Sequence, residues 1–219
     1  MDTDVEREKR LAAEAAAELA EDGMAVGLGT GSTATHFVEA LARRQLELRC
    51  VATSLATEQT ARGLGLDVVR FEGTGAPPQL DLAVDGADQL AADGWVVKGG
   101  GGAHTREKVV AAAAERFVVI VSSDKLVERV RPPIPLELLS FGLAATLARL
   151  GPVELRGAPP TPDDGVLADW IGEIGDPADF AAMLSATPGV VDHGLFPPDL
   201  VSEVLVGRPG EVERRSGRR

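Results

Sequence analysis

The sequence predicts an α/β protein: a Rossmann-like, mainly parallel sheet domain with a smaller ferredoxin-like α+β domain. Three observations carry this expectation. Short, continuously apolar runs alternate with helical segments up to Val130, the pattern of parallel strands covered on both faces. Pro132, Pro133 and Pro135 then break the alternation. Beyond them the order of elements is β-α-β-β-α-β, the ferredoxin-like order.

Taken in order, Glu6 to Leu19 is rich in Ala, Glu and Leu and reads as a helix, ended by Asp22-Gly23. Met24 to Gly27 reads as a buried strand, and a glycine turn over Gly27 to Gly31 follows it. The next helix spans Ser32 to Leu46, with Ser32 and Thr33 at its expected N-cap. Leu48 to Ala52, Asp67 to Phe71, Leu80 to Val84, Trp95 to Val97 and Arg116 to Ser122 read as strands. Thr57 to Leu64, closed by Gly65, and Glu107 to Ala114 read as helices. The second domain reads as strand 136–139, helix 144–150, strands 153–155 and 166–171, helix 178–184 and strand 190–194. Leu200 to Val206 is expected to return to the large domain, and the polar stretch Arg208 to Arg219 to be loose. The expected domains are therefore 1–130 plus 200–219, Rossmann-like and catalytic, and 131–199, ferredoxin-like.

Composition narrows the function. The chain has 219 residues, 44% hydrophobic and 26% charged, which argues against wholesale disorder. A net charge of -12 repels phosphate backbones, so no nucleic acid partner is expected. A small anion remains possible, because local dipoles and a few basic residues can hold one phosphate. The single cysteine, Cys50, excludes an internal disulfide and reads as a buried structural thiol. The charged start has no signal-peptide core, and no apolar run reaches the ~20 residues of a membrane helix. A cytoplasmic protein without membrane partners is the expectation.

Four motifs carry chemistry. Gly27-Leu28-Gly29-Thr30-Gly31-Ser32-Thr33 lies between a strand and a helix, where glycines, free N–H groups, hydroxyls and the helix dipole favour an anion. Ser32 stands where a dinucleotide loop needs its third glycine, and no Gly-Lys-Ser/Thr closes it as in a P-loop. A sugar phosphate fits better than a nucleotide, although a tight turn alone would explain the glycines. Asp85-Gly86-Ala87-Asp88 sets two carboxylates after a buried strand, where ligands bind in parallel sheets; an Asx-turn is the plainer alternative. Lys98-Gly99-Gly100-Gly101-Gly102 is entropically costly, a cost that backbone donors facing a ligand would explain; a flexible linker is the alternative. Glu107 is expected to open the following helix and to point back at the ligand. Lys125, after Ser122-Ser123-Asp124, could reach a phosphate or be a plain surface lysine. His36, His104, His193 and Cys50 show no metal-ligand spacing, and His104 reads as a bystander.

In this order and spacing the motifs resemble the ribose-5-phosphate isomerase type A family, with its G-x-G-T-G-S-T, D-G-A-D-E, K-G-G-G…R-E-K and Ser/Thr-Lys segments. Thr53 to Thr57, Pro188 to Val191 and Gly194 to Phe196 extend the likeness over nearly the whole chain. Gln89 replaces the family Glu, Asp124 precedes Lys125 where Ser is usual, and Leu136-Glu137-Leu138 replaces a V-E-V-like strand. Thr161 to Asp169 is a poor match in the second domain and is expected not to touch the chemistry.

The resemblance implies an aldose-ketose isomerase that interconverts ribose 5-phosphate and ribulose 5-phosphate through a cis-enediolate. It needs no metal and no cofactor. By this resemblance Glu107 is the base, and its place beside a dry glycine loop is expected to raise its pKa. Lys98 and the N–H groups of Gly99, Gly100 and Gly101 hold the enediolate. Asp85 and Asp88, with Gly86 and Ala87 between them, bind sugar hydroxyls, one aspartate assisting ring opening. Thr30, Gly31, Ser32, Thr33 and Lys125 hold the phosphate. A homodimer or homotetramer is implied. The alternatives are a sugar-phosphate sensor domain, which would have no need of Glu107, and another phosphosugar isomerase or deaminase, against which the Asp85 and Lys98 motifs argue.

Overall fold

A computed structural model describes residues 3–217. Along the chain the elements are α1 (Asp4–Ala17), β1 (Ala25–Leu28), α2 (Ser32–Arg43), β2 (Arg49–Ala52), α3 (Leu55–Gly63), β3 (Leu80–Asp85), β4 (Gln89–Ala91) and β5 (Val96–Val97). They continue with α4 (His104–Ala113), β6 (Ala114–Ser122), β7 (Leu126–Val127), β8 (Ile134–Leu138), α5 (Leu143–Leu150), β9 (Val153–Leu155) and β10 (Val166–Trp170). The last are α6 (Pro177–Ala186), β11 (Val190–His193), β12 (Leu195–Phe196), β13 (Glu203–Arg208) and β14 (Glu211–Ser216). The chain divides into two compact units, residues 1–87, 106–126 and 198–219, and residues 88–105 and 127–197. The 88–105 segment, with the Lys98 loop, thus groups with the second unit.

The first unit is built on a six-stranded sheet of order β14-β13-β6-β3-β1-β2. The strands from β13 to β2 run parallel, and β14 is antiparallel to β13. The burial of Val26, Leu28, Leu82, Val84, Val118 and Ile120 matches their continuous apolar runs. Over them pack Phe37, Val38 and Leu41 of α2 and the small side chains Ala12, Ala13, Ala16 and Ala17 of α1. Those alanines let α1 approach the sheet so closely that a Cβ on Gly207 would meet the Glu8 carbonyl at 1.9 Å.

Several boundaries differ from the sequence expectation. The 67–71 segment makes one bridge, Cys50 to Val68, and no strand. The N-cap of α2 is Gly31 at φ 109°, with no side-chain cap, and Ser32 is already helical. The helix bearing Glu107 begins a turn earlier, at His104. The 208–219 stretch, expected to be loose, instead forms β14 over Glu211–Ser216, paired residue for residue with β13; Arg218 and Arg219 lie outside the described residues.

The second unit holds a four-stranded antiparallel sheet of order β11-β8-β10-β9, with α5 and α6 as its helices. The β-α-β-β-α-β run of elements is the one the sequence predicts, and its strands lie in the order fourth-first-third-second. Its core joins Ile134, Leu136 and Leu138 of β8 to Trp170, Phe180 and Leu184. A small sheet of order β12-β5-β4-β7 carries the Asp88 and Lys98 segments.

Candidate active site

In the first unit the predicted residues collect at the C-terminal edge of the parallel sheet. The carboxylate of Asp85, buried at the end of β3, accepts from the N–H of Thr30 at 3.1 Å and of Gly86 at 2.7 Å. Only glycine fits between Asp85 and β1, since a Cβ on Gly29 would come within 2.0 Å of the carboxylate oxygen. One Thr30 donor is therefore spent on Asp85. The N–H groups of Ser32, Thr33 and Ala34 open α2, where donors have no partner within the helix.

The Ser/Thr-rich stretch after β2 supports this loop. The Thr30 and Thr53 hydroxyls bond each other at 2.7 Å, and the Thr53 hydroxyl donates to the Leu28 carbonyl at 3.1 Å. The Thr57 hydroxyl donates to the Gly29 carbonyl at 2.9 Å, while Ser54 caps α3. On the other side the Lys9 ammonium reaches the Ser32 hydroxyl at 3.1 Å and pairs with Glu6 at 2.6 Å. Sequence reasoning missed Lys9, because a lysine on a charged first helix carries no signal until α1 is seen against α2.

Lys125 sits on a short 3-10 turn after β6 and pairs with Asp124 at 3.4 Å. Burial alone would push the Asp124 carboxyl up, but the Ser122 hydroxyl and the Lys125 charge together hold it below its usual value. The turn is fixed by Glu8, a buried carboxylate that accepts from the Ser123 N–H at 2.8 Å and the Ser123 hydroxyl at 2.7 Å. Glu107 is buried. Val110, one turn further along α4, packs on Gly27, where a Cβ would come within 2.4 Å of it. Because α4 links the parallel strands β3 and β6, its N-terminal turns lie at the C-terminal edge of the sheet.

In the second unit, Asp88 follows the same turn. Its N–H donates to Val97, and its carboxylate accepts from the Gly100 N–H at 2.7 Å. A Cβ on Gly100 would strike Asp88 at 2.7 Å and one on Gly102 would meet Leu167 at 2.5 Å, so these glycines answer a packing requirement. The Gly100 donor, expected to face a ligand, is thus committed to Asp88.

Lys98 is buried, with its ammonium 5.7 Å from the Phe196 ring centroid. Its N–H donates to the Gly194 carbonyl at 2.8 Å, and a Cβ on Gly194 would meet the Lys98 carbonyl at 2.2 Å. The Gly194-Leu195-Phe196 motif therefore serves to seat Lys98. His104 is wholly buried beneath Gly99, whose φ is 101° and whose Cβ would strike its ring. It underlies the loop.

The Thr161 to Asp169 stretch, expected to stay clear of the chemistry, is tied to the glycine loop through Arg156. Asp169 pairs with Arg156 at 2.6 Å, and Arg156 donates to the Gly99 carbonyl at 2.8 Å. Thr161 donates to buried Glu137 at 2.5 Å, and the other Glu137 oxygen accepts from Thr105. The sequence could not place these residues, since Gly99, Thr105 and Glu137, the groups they support or bond, lie far from them along the chain.

Fold and site define an α/β protein with a glycine- and hydroxyl-rich strand-helix loop, buried carboxylates at the sheet edge and a ferredoxin-like second unit. Comparison with known proteins makes this specific. The family model described as ribose 5-phosphate isomerase A (phosphoriboisomerase A) matches residues 49–211. The ribose-5-phosphate isomerase A of Caulobacter sp. (strain K31) is 43% identical over 91% of this chain and 93% of its own. The crystal structure of ribose 5 phosphate isomerase A from Neisseria gonorrhoeae superposes with a TM-score of 0.92 at 30% identity, covering 100% of both chains. A D-ribose-5-phosphate isomerase solved in complex with phospho-erythronic acid gives a TM-score of 0.89 at 30% identity, over 98% of this chain and 100% of that one. The chain belongs to the ribose 5-phosphate isomerase A family.

Proposed function

We propose that this protein interconverts D-ribose 5-phosphate and D-ribulose 5-phosphate through a cis-enediolate. The observation that carries this reading is the buried Glu107 carboxylate, on the helix whose N-terminal turns reach the sheet edge bearing Asp85 and the hydroxyl-rich loop. Glu107 takes the C2 proton of the open-chain aldose, and the electron pair passes to the C1 carbonyl oxygen. It returns the proton at C1 while the C2 hydroxyl becomes the carbonyl, its proton ending on the C1 oxygen. The substrate's own carbonyl is the electron sink.

In this reading Thr30, Gly31, Ser32 and Thr33 take the phosphate, with Lys125 and Lys9 supplying positive charge. Asp85 and Asp88 hold sugar hydroxyls, and Lys98 with the glycine-loop donors stabilises the enediolate. The first unit would then be the catalytic domain in the sense that it holds the base. Phospho-erythronic acid, the ligand of the solved relative, is expected to bind as a substrate analogue. A homodimer or homotetramer belongs to the reading, supported by Leu139, Phe141 and Val191 exposed on the second unit. So does a cytoplasmic location; among the described residues no helix is long and apolar enough to cross a membrane.

The test is an assay with EDTA present, feeding ribose 5-phosphate and following ribulose 5-phosphate, for wild type and Glu107→Gln. The wild type is expected to turn over, and the variant to lose ~10²-fold or more in kcat with binding retained. Tight binding without turnover in the wild type would replace this reading with a sensor.

A further inference from the structure

Within the second unit one side chain ties the framework to the glycine loop. Arg156, next after β9, grips Asp169 of β10 with two parallel bonds, Nε to Oδ2 at 2.7 Å and Nη2 to Oδ1 at 2.6 Å. Its remaining nitrogen, Nη1, donates to the carbonyls of Gly99 at 2.8 Å and Gly100 at 3.3 Å. Both side chains are only about a fifth exposed, 19% and 21%. This planar fork is a geometry that a lysine cannot reproduce.

The consequence follows from peptide geometry. In a trans peptide unit the C=O and the next residue's N–H point in opposite directions. With the Gly99 carbonyl held on Arg156, the Gly100 N–H is turned away from it, and there it donates to Asp88 at 2.7 Å. With the Gly100 carbonyl held likewise, the Gly101 N–H is also presented on the side away from Arg156. Glycine peptides flip at low cost. A flipped unit would aim a carbonyl where a donor is needed and would repel an oxyanion.

We propose that Arg156, held by Asp169, is a positioning residue that fixes the Gly99–Gly101 peptide units so that the Gly100 N–H stays on Asp88 and the Gly101 N–H faces the oxyanion of the enediolate. This rests on the isomerase reading above. Arg156 touches no reacting atom in this scheme, so its removal is felt in the transition state more than in substrate binding.

The experiment compares wild type, Arg156→Ala, Arg156→Lys and Asp169→Asn for kcat and KM on ribose 5-phosphate and for inhibition by phospho-erythronic acid and by inorganic phosphate. Arg156→Ala is expected to lower kcat by ~10²-fold with KM changed by less than ~3-fold. Phospho-erythronic acid, whose carboxylate places negative charge away from the phosphate, should inhibit ~10-fold less well. Inhibition by inorganic phosphate, which needs only the first-unit loop, should not change. Added guanidinium at millimolar concentration should restore part of the lost kcat. Arg156→Lys and Asp169→Asn should each lose ~10-fold in kcat, and they carry the test if Arg156→Ala does not fold. Variant kcat values within ~2-fold of wild type would overturn the proposal. So would a parallel loss of phosphate inhibition, which would mark a general structural defect. Absence of turnover in the wild type would strike the isomerase reading instead.

Discussion

At the scale of single residues, Gln89 shows how a departure from the family pattern is repaid locally. Its amide donates to the Arg131 carbonyl at 2.8 Å and accepts from the Arg131 N–H at 3.0 Å. A glutamate could make only the second bond, and would set a carboxylate against a carbonyl. Gln89→Glu is therefore expected to cost about 1 kcal/mol, read as a lower urea midpoint, with kcat within ~3-fold. An unchanged midpoint would show that the pair contributes nothing. Cys50 is the other residue with a clear forecast. Burial first, and the nearby Asp67 charge second, push its thiol up to about 12. At pH 8 it is protonated and enclosed, so iodoacetamide should label the native protein negligibly and the urea-unfolded protein once. Rapid native labelling would contradict the burial of β2.

At the scale of elements, the Gly27–Thr33 loop, proposed to hold the phosphate, depends on α3 as much as on its own glycines. Thr57, in the first turns of α3, holds the Gly29 carbonyl at 2.9 Å, and Gly29 is the residue packed on Asp85. Thr57→Val keeps the shape and removes the donor. It should raise KM for ribose 5-phosphate by ~3- to 10-fold while leaving kcat nearly constant. A fall in kcat alone would place Thr57 in another role. The places of the glycine loops, of the aspartates at a strand end and of Glu107 near a helix start were legible in the sequence because each motif is local. The helix starts at Gly31 and His104 were not. A glycine cap without a side-chain bond looks like turn, and the true start of α4 has no capping signature. The 67–71 segment has strand composition, but its pairing is confined to one bridge, where Asp67 and Val69 bond the Cys50 backbone around Val68. Glu8, Arg156 and Glu137 were equally invisible as supports, because each bonds to a segment distant in sequence.

At the scale of the molecule, the sheet of the first unit closes one edge with charge. β13 is buried through Val204, Leu205 and Val206, and its free side would be a template for another strand. The sequence Glu211 to Ser216 looks like a solvated tail because it offers little to a core. It is suited to an edge instead. Gly210, at φ 85°, makes the turn, and all six residues of β14 pair with β13. Arg208 pairs with Glu213 at 2.8 Å and Arg214 with Glu203 at 3.1 Å, salt bridges that favour this register over a slipped one. Two arginines hold the Glu213 carboxyl down to about 2, that of Arg215 first and that of Arg208 second, so the charge pattern persists through mildly acid pH. Ending the chain at Arg208 should therefore lower the thermal midpoint by ~5 °C or more and promote aggregation of the exposed β13 edge. In the fraction that stays soluble, kcat should remain within ~3-fold of wild type. The β14 strand lies at the far edge of the sheet from β1 and β2, which carry the glycine loop and its threonine support. A truncated protein with an unchanged midpoint would mean that β13 needs no cover, and the charged strand would then lack a structural role.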